Sequence, residues 1–288
     1  MKAPMRNKIC LVTGATNGIG KVTARELATM GATVVIVGRS REKAEATAAE
    51  LRAAAGHDRV HPLIADLSLI SGCASLAEQF AAQFNRLDVL VNNAGGIFNE
   101  RTLTREGLEM TFALNHMSYF AVTTRLLDLL KASPAARVVS VSSGAHTGGR
   151  LDWDNLQGEK RYTGFGAYAT SKLLNLMFTY ALVRRLDGTS VTANALHPGA
   201  VSTGFGLNNR DLISKVIFAG FKLIAIPVEK GARTSIYLAS APEVEGVTGK
   251  YYSEMKEMYS SAASYVRADQ EKLWQISTEL MASAVKVG

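Results

Sequence analysis

Short runs of β-branched and other apolar residues alternate with longer, helix-length segments along the whole chain. The strand-length runs cover residues 9–13, 33–37, 60–65, 89–92, 137–141, 191–196 and 250–252. The helix-length segments cover residues 20–30, 41–55, 74–84, 104–131, 166–186, 229–239 and 270–284. This alternation is typical of βαβ units, whose helices cover both faces of a parallel sheet. It predicts an α/β protein with a doubly wound Rossmann fold and a seven-stranded parallel sheet in the order 3-2-1-4-5-6-7.

Length and composition favour a single domain that spans residues 1–288. Of the 288 residues 47% are apolar, which is enough for one sizeable core, and no linker divides the chain. The net charge of +7 comes from scattered basic residues, so we expect a small polyanionic ligand and no nucleic-acid partner. Cys10 and Cys73 have neither a metal-binding nor a redox spacing, so no metal site is predicted.

Two segments bear on membrane contact. Residues 1–8 are too short and too polar for a signal peptide or a membrane anchor, which predicts a cytoplasmic protein. Residues 212–228 are nearly apolar, but two lysines and a proline interrupt them, and the stretch is too short to span a bilayer. We expect residues 204–227 to form a lid over an apolar substrate pocket. The alternatives are a packing surface for a second subunit in a homo-oligomer, or a weak contact with a membrane surface.

A glycine-rich turn joins the first strand to the first helix. Its sequence is Thr13-Gly14-Ala15-Thr16-Asn17-Gly18-Ile19-Gly20. Glycine permits a tight bend and a close backbone approach to a pyrophosphate, while the helix N-terminus offers N–H groups and the positive end of its dipole. Three glycines at one strand–helix junction weaken the alternative of an ordinary turn. The turn therefore predicts a dinucleotide-binding site.

The second strand ends in Val37-Gly38-Arg39, at the position where dinucleotide-binding folds contact the adenosine ribose. A carboxylate there would hold the 2'-hydroxyl of NAD, whereas an arginine suits the 2'-phosphate of NADP. The sequence therefore favours NADP(H), with NAD(H) as the alternative. In the simpler interpretation, Arg39 is a solvated residue at the start of a helix.

Tyr168 and Lys172 are four residues apart in a helix-length segment, so their side chains share one helical face. A free tyrosine has a pKa of ~10, and proton transfer near neutrality requires a pKa lower by about three units, or ~4 kcal/mol. A lysine ammonium ~4 Å away supplies about that much at an effective dielectric constant of ~20. The pair predicts a general acid/base with an activating lysine, although such pairs also occur by chance on solvated helices.

The turn spacing Gly-x3-Gly-x-Gly, followed by Tyr-x3-Lys, resembles the short-chain dehydrogenase/reductase family. The resemblance covers nearly the whole chain and implies hydride transfer between a nicotinamide and a carbonyl or alcohol carbon. It implies a catalytic tetrad of Asn115, Ser143, Tyr168 and Lys172. Together with the turn and Arg39, it implies cofactor contacts at Gly14, Thr16, Asn17, Gly18, Ile19, Gly20, Arg39, Asp66, Leu67, Asn93, Ala94, Gly95, Tyr168, Lys172, Pro198, Gly199, Val201 and Thr203.

The resemblance also implies individual roles. Ser143 matches the family's serine, which hydrogen-bonds the substrate carbonyl as charge grows on its oxygen, and Ser142 is expected to be a turn or strand-end residue. Asn115 lies mid-helix, where asparagine has poor propensity, and in the family it kinks the helix and holds a water that relays protons to the lysine. Lys172 would also bind the nicotinamide ribose. His197, at a strand end, is interpreted as a structural group.

Several stretches resemble the retinol-dehydrogenase-like branch of the family. They are Thr16-Asn17-Gly18-Ile19-Gly20-Lys21, Ser142-Ser143-Gly144-Ala145-His146, Asn155-Leu156-Gln157-Gly158-Glu159-Lys160, Gly249-Lys250-Tyr251-Tyr252 and Lys272-Leu273-Trp274. Members of that branch reduce retinal or other apolar aldehydes and ketones, usually with NADP(H), and its membrane-bound members begin with an anchor helix. The resemblance predicts a small apolar carbonyl or alcohol substrate.

The segment 147–166 is long for a connection between the serine and the tyrosine. Long loops in compact domains are often functional, so we expect this one to wall the substrate pocket. The alternative is that its aromatic residues form a satellite core. A different function, a non-catalytic NADP(H)-binding redox sensor, would be expected to lose the tyrosine or the lysine, and both are present.

Overall fold

The structure, a computed structural model, describes residues 4–201 and 226–285. Its strands are β1 (Ile9–Thr13), β2 (Thr33–Gly38), β3 (Val60–Ile64), β4 (Val89–Asn92), β5 (Arg137–Val141), β6 (Thr192–His197), β7 (Tyr251–Ser253) and β8 (Lys256–Met258). They form one sheet in the order β3-β2-β1-β4-β5-β6-β7-β8. Neighbours from β3 to β7 run parallel, and β8 runs antiparallel to β7. The predicted doubly wound sheet and the order of its first seven strands are confirmed.

The sheet has one strand more than predicted. β7 turns into β8 at Glu254 and Met255, whose φ angles of 50° and 63° make a tight hairpin. All three residues of β8 are exposed, and the sequence Lys-Glu-Met has no alternation of apolar and polar residues. The prediction of seven strands was wrong, because so short an edge strand carries no signal in the sequence.

The helices lie close to their predicted positions, with one exception. They are α1 (Gly18–Thr29), α2 (Arg41–Ala55), α3 (Ile70–Ala81), α4 (Met110–Phe112), α5 (Ser118–Arg125), α6 (Leu127–Lys131), α7 (Gly164–Arg185), α8 (Val228–Ser240) and α9 (Arg267–Val285). The segment predicted as one helix over 104–131 begins only at α4, where the Glu109 carboxylate caps the helix. A π-helical turn, Ala113–Met117, then separates α4 from α5.

The sheet is buried on both faces, and neighbouring residues of β2 point to opposite sides. Val35 packs in the core with α3, α5, α7 and α9, whereas Ile36 packs in the core with α1, α2 and α8. In the first of these cores, Trp274 of α9 stacks on Phe178 of α7, with ring centroids 5.9 Å apart, and meets Phe120 of α5 edge-on at 4.9 Å. These contacts fix α7, which carries the tyrosine and the lysine.

Parallel strands bring the segments that follow β1 to β6 to one edge of the sheet, and the predicted site residues among the described ones lie in these segments and on α7. Of the predicted lid, residues 204–225 lie outside the described residues, as does Thr203. None of the helices in the described ranges is long and apolar enough to cross a membrane. The three interpretations of residues 212–228 stay predictions.

Candidate active site

The glycine-rich turn after β1 packs directly against the loop after β4. Gly14 has a φ of 63°, and a Cβ there would lie 2.9 Å from the Cα of Ala94. A Cβ on Gly20 would collide with Nδ2 of Asn93 and would lie 2.5 Å from the carbonyl oxygen of Gly14. Both positions require glycine, because no side chain fits between the turn and the neighbouring loop.

The N-terminus of α1 opens at this edge of the sheet. Oδ1 of Asn17 accepts the N–H of Gly18 at 2.7 Å, and the first turn of α1 has no acidic side chain. A Cβ on Gly38 would clash with the Thr16 side chain, so the turn lies directly over the end of β2. Arg39 follows β2 and is exposed. A helix N-terminus beside an exposed guanidinium suits an anionic ligand.

Thr13 ties the loop after β4 to the end of β1. Its Oγ1 accepts the N–H groups of Asn93 at 2.9 Å and of Ala94 at 3.0 Å. Nδ2 of Asn93 in turn donates to the carbonyl oxygen of Thr13 at 2.8 Å. Sequence reasoning missed Thr13, because nothing distinguishes it there from any last residue of a buried strand.

Asp66 and Leu67, the other predicted adenosine contacts, follow β3. Oδ1 of Asp66 accepts both the N–H of Ser68, at 3.0 Å, and the Ser68 hydroxyl, at 2.7 Å. Leu67 is buried. The Asp66 carboxylate therefore stabilises the turn to which it belongs. Asp66 also lies near the end of β2, because β3 pairs with β2.

Asn115 lies in the π-helical turn between α4 and α5 and is fully buried. Its Oδ1 accepts the N–H of Gly96 at 2.8 Å, and its Nδ2 donates to the Gly96 carbonyl and to Oγ of Ser171, both at 2.9 Å. The helix is irregular at this asparagine, as predicted. Both amide hydrogens are engaged, so the side chain fastens the loop after β4 to α7.

The adjacent serines have different partners. Ser142 is buried, and its hydroxyl donates to the backbone carbonyl of Lys172 at 2.7 Å. Ser143 caps a 3-10 turn by accepting the N–H of Ala145 at 3.2 Å, and its hydroxyl lies close enough to the Tyr168 phenol to act to lower the pKa of that phenol. Ser142 anchors the backbone of α7, whereas Ser143 meets the tyrosine.

Lys172 is 3% exposed and lies between two tyrosine rings. Its Nζ donates to the carbonyl oxygen of Val141 at 3.0 Å and is 5.7 Å from the ring centroids of both Tyr119 and Tyr168. The Tyr119 hydroxyl donates to the same carbonyl at 3.2 Å. A Cβ on Gly95 would lie 3.5 Å from Nζ, so the backbone after β4 also approaches the ammonium.

Burial dominates the pKa values of the pair. It lowers the pKa of Lys172 to about 7 and raises the pKa of Tyr168, while the hydrogen bond with Ser143 acts to lower the tyrosine's pKa. The expectation that the lysine lowers the pKa of Tyr168 below its ordinary value is wrong in this structure. Desolvation outweighs the effect of Ser143, and a lysine with a pKa of about 7 carries only part of its charge at neutral pH.

Comparison with known proteins identifies the family. The family described as short chain dehydrogenase matches residues 8–212. The chain belongs to this family. Retinol dehydrogenase 12 from Mus musculus is 41% identical over 274 residues, which cover 95% of this chain and 86% of the relative. The predicted retinol-dehydrogenase-like branch is thereby confirmed.

Solved structures of similar proteins agree with this assignment. An uncharacterised protein from Mycobacterium paratuberculosis has a TM-score of 0.77 and 30% identity, over 96% of this chain and 94% of that one. A short-chain dehydrogenase from Burkholderia cenocepacia, solved in complex with NADP, has a TM-score of 0.69 and 25% identity, over 86% and 96%. As a short-chain dehydrogenase, the chain is an oxidoreductase that uses a nicotinamide dinucleotide and acts on a small molecule.

The segment after β6 lies at the same edge of the sheet as the reactive groups. Gly199 has a φ of 87°, and its N–H donates to Nδ1 of His197 at 3.1 Å. Pro198 lies within this turn, and Val201 forms an isolated bridge with Ile226. His197 therefore holds the turn that carries the predicted nicotinamide contacts, in keeping with its structural interpretation.

A cavity of about 300 Å³ lies against the opposite side of α7. Ala167, Thr170, Ser171 and Leu174 line it, together with residues of the segment 147–166. None of the four predicted catalytic side chains lines it, so its volume says nothing about the size of the substrate. Ser171 contacts both sides of the helix, because it lines this cavity and its hydroxyl accepts a hydrogen bond from the Asn115 amide.

Proposed function

We propose that this short-chain dehydrogenase transfers a hydride between NADP(H) and the carbonyl or alcohol carbon of an apolar aldehyde, ketone or alcohol. Tyr168 acts as the general acid/base. The observation that carries the proposal is the proximity of the Ser143 hydroxyl and the Tyr168 phenol, beside the Lys172 side chain and at the same sheet edge as the glycine-rich turn. Two hydroxyls placed side by side can both bond one substrate oxygen.

The nicotinamide, when bound, supplies or accepts the hydride at its C4. The N-terminus of α1 supports a dinucleotide here, because its first turn has no acidic side chain and its N–H groups and dipole suit a pyrophosphate. Arg39 would pair with a 2'-phosphate. Lys172 and the segment after β6 would hold the nicotinamide and its ribose.

In the reductive direction, the Tyr168 phenol donates its proton to the carbonyl oxygen. The Ser143 hydroxyl donates a hydrogen bond to the same oxygen as negative charge grows there, which stabilises the transition state most. The raised pKa of Tyr168 keeps the phenol protonated at neutral pH, so it is ready to donate. In the oxidative direction the phenolate is required, and the Lys172 ammonium stabilises it.

An apolar substrate is supported by the side chains near this end of α7. Phe165 is 65% exposed and lies three residues before Tyr168 on the same helix. Large exposed apolar side chains near reactive groups favour an apolar ligand. The similarity to retinol dehydrogenases supports the same substrate class.

NADPH oxidation against a panel of apolar aldehydes, ketones, quinones and steroids tests the reaction. Tyr168→Phe should lower kcat by about 10²- to 10⁴-fold, the usual contribution of a general acid. Tyr180→Phe is the matched control, because Tyr180 lies on the same helix and its hydroxyl bonds only remote groups such as Ser260. Equal rates for wild type and Tyr168→Phe would refute the mechanism. NADPH binding without turnover of any carbonyl would instead support a redox sensor.

Cofactor choice is tested separately at Arg39. Arg39→Asp should reduce the preference for NADPH over NADH at least about tenfold, because a carboxylate repels a 2'-phosphate and accepts a 2'-hydroxyl. Arg41→Asp is the control, since Arg41 is two residues away, exposed, and paired with Glu45. An unchanged preference for NADPH over NADH in Arg39→Asp would refute the NADP(H) assignment.

A further inference from the structure

Tyr162 joins three segments around the proposed site. Its hydroxyl lies 2.8 Å from the carbonyl oxygen of Phe98, 3.1 Å from Oε1 of Glu109 and 3.2 Å from Oγ1 of Thr111. The phenol has one proton, so the Phe98 carbonyl and the Glu109 carboxylate share it, while Thr111 can donate to the phenol oxygen. The segment 147–166 is thereby linked both to the loop after β4 and to the start of α4.

The carboxylate at this junction is held firmly. Glu109 is 2% exposed, and it accepts the N–H groups of Thr111 at 2.8 Å and of Phe112 at 2.7 Å. Its own N–H donates to Oε1 of Gln157 at 2.9 Å. Gln157 belongs to the Asn155–Lys160 stretch that carries the branch resemblance, so this stretch supports the junction from the other side.

The loop 96–99 is held at both ends. At its start, Asn115 bonds both backbone groups of Gly96. At its end, Tyr162 bonds the Phe98 carbonyl, and the first residue of α7 comes so close that a Cβ on Gly164 would lie 2.5 Å from that oxygen and 2.7 Å from the Cα of Asn99. The loop is therefore fixed between the turn that carries Asn115 and the start of α7.

This loop borders the reacting groups. The residue before it, Gly95, approaches the Lys172 ammonium. Gly164 and Tyr168 are four residues apart on α7 and share one face, so the backbone that touches Gly164 lies about one helical turn from the phenol. The ring of Phe98 folds back over Gly96, within 3.1 Å of where a Cβ would sit.

We infer that Tyr162 and Gly164 are positioning residues that hold loop 96–99 as a wall of the substrate site and so set how tightly the carbonyl substrate binds. The inference rests on the proposed function for its kinetic part. Loss of the Tyr162 hydroxyl releases the Phe98 carbonyl, and a methyl group at Gly164 pushes the loop away from α7. Both changes loosen the same wall by different routes, and neither removes a group that meets the reacting atoms.

Two substitutions with two controls test the inference on the whole chain. Tyr162→Phe and Gly164→Ala are compared with Tyr180→Phe, whose hydroxyl is also bonded and partly buried, and with Gly148→Ala, where a Cβ would meet nothing within 4 Å. One readout is the rate at which trypsin cleaves the native protein after Arg101, an exposed residue that follows the loop and donates to the Gln157 carbonyl at 2.9 Å. The other is the KM and kcat for an apolar aldehyde with NADPH.

Tyr162→Phe should speed cleavage after Arg101 and raise the aldehyde KM about fivefold, the size expected for one lost hydrogen bond. Gly164→Ala should change both quantities in the same direction. The kcat and the KM for NADPH should stay within about twofold of wild type, and the controls should change neither readout. Unchanged cleavage and KM, or the same changes in Tyr180→Phe, would overturn the inference. If the wild type turns over no carbonyl, the proposed function fails, and cleavage after Arg101 alone then decides whether the loop is held.

Discussion

Replacing Lys172 with methionine is expected to stabilise the protein while abolishing turnover. Lys172 is 3% exposed, and burial lowers its pKa from 10.5 to about 7. In the unfolded chain the lysine keeps its ordinary pKa, so at pH 7 folding costs about three pKa units of protonation free energy, or ~4 kcal/mol. The cost is greatest below pH 7, shrinks to about 1 kcal/mol at pH 10, and vanishes above the unfolded pKa, where both states are neutral.

The methionine also removes the bond from Nζ to the Val141 carbonyl, which costs about 1 kcal/mol at any pH. The net gain of Lys172→Met is therefore about 3 kcal/mol at pH 7 and close to zero at pH 10. Urea unfolding of wild type and variant, each at both pH values and without nucleotide, measures this difference. Other groups titrate over the same range, but they do so equally in both proteins and cancel.

Lys250→Met is the control, because the Lys250 side chain is 44% exposed and should change stability by less than about 0.5 kcal/mol. A stability gap between wild type and Lys172→Met that does not change from pH 7 to pH 10 would refute the reasoning. A variant less stable than wild type at pH 7 would refute it as well. Either result would mean that the buried ammonium does not oppose folding.

Three further predictions concern the turn and the reactive groups. Ser143→Ala should lower kcat by roughly 10²-fold or more, whereas Ser142→Ala should lose about 1 kcal/mol of unfolding free energy with its bond to the Lys172 carbonyl and keep most of its kcat. A larger loss of kcat in Ser142→Ala than in Ser143→Ala, measured by steady-state kinetics, would contradict the assignment. Gly20→Ala should abolish NADPH binding, because a methyl group would collide with the Asn93 amide, and an unchanged Kd in a fluorescence titration would argue against that contact. The kcat/KM for NADPH should fall as pH rises through about 7, because this ratio reports the free enzyme and Lys172 loses its proton in that range. A flat profile up to pH 9 would argue against a role for the Lys172 charge.

Features that depend on short sequence spacings could be predicted from the sequence. The first seven strands are apolar runs buried on both faces, as Val34 to Val37 of β2 show, so their positions and order follow from the alternation with helices. The hairpin strand β8 could not be predicted, because its exposed residues have no pattern that burial would impose. The start of α4 was missed although Gly107, a poor helix former with a φ of 81°, interrupts the segment two residues before the cap, Glu109.

The same limit applies to the candidate site. Motif spacing identified Ser143, Tyr168 and Lys172 as site residues and favoured Ser143 over Ser142. In the structure Ser142 bonds the Lys172 carbonyl, whereas Ser143 lies beside Tyr168. Motif spacing did not find Thr13, or the Tyr119 hydroxyl that shares a carbonyl with Lys172, because those contacts join segments far apart in the chain. The sign of the tyrosine's pKa shift also depends on burial, which no spacing reveals.

In the proposed reaction the nicotinamide supplies the hydride and Tyr168 supplies the proton. This reaction is tested most directly with NADPH that carries deuterium at the transferable C4 position and an apolar aldehyde, with the product alcohol examined by mass spectrometry. The wild type should yield alcohol that carries one deuterium on the former carbonyl carbon, and Tyr168→Phe should yield almost none. Unlabelled alcohol from the wild type, or labelled alcohol from Tyr168→Phe at the wild-type rate, would contradict the claim.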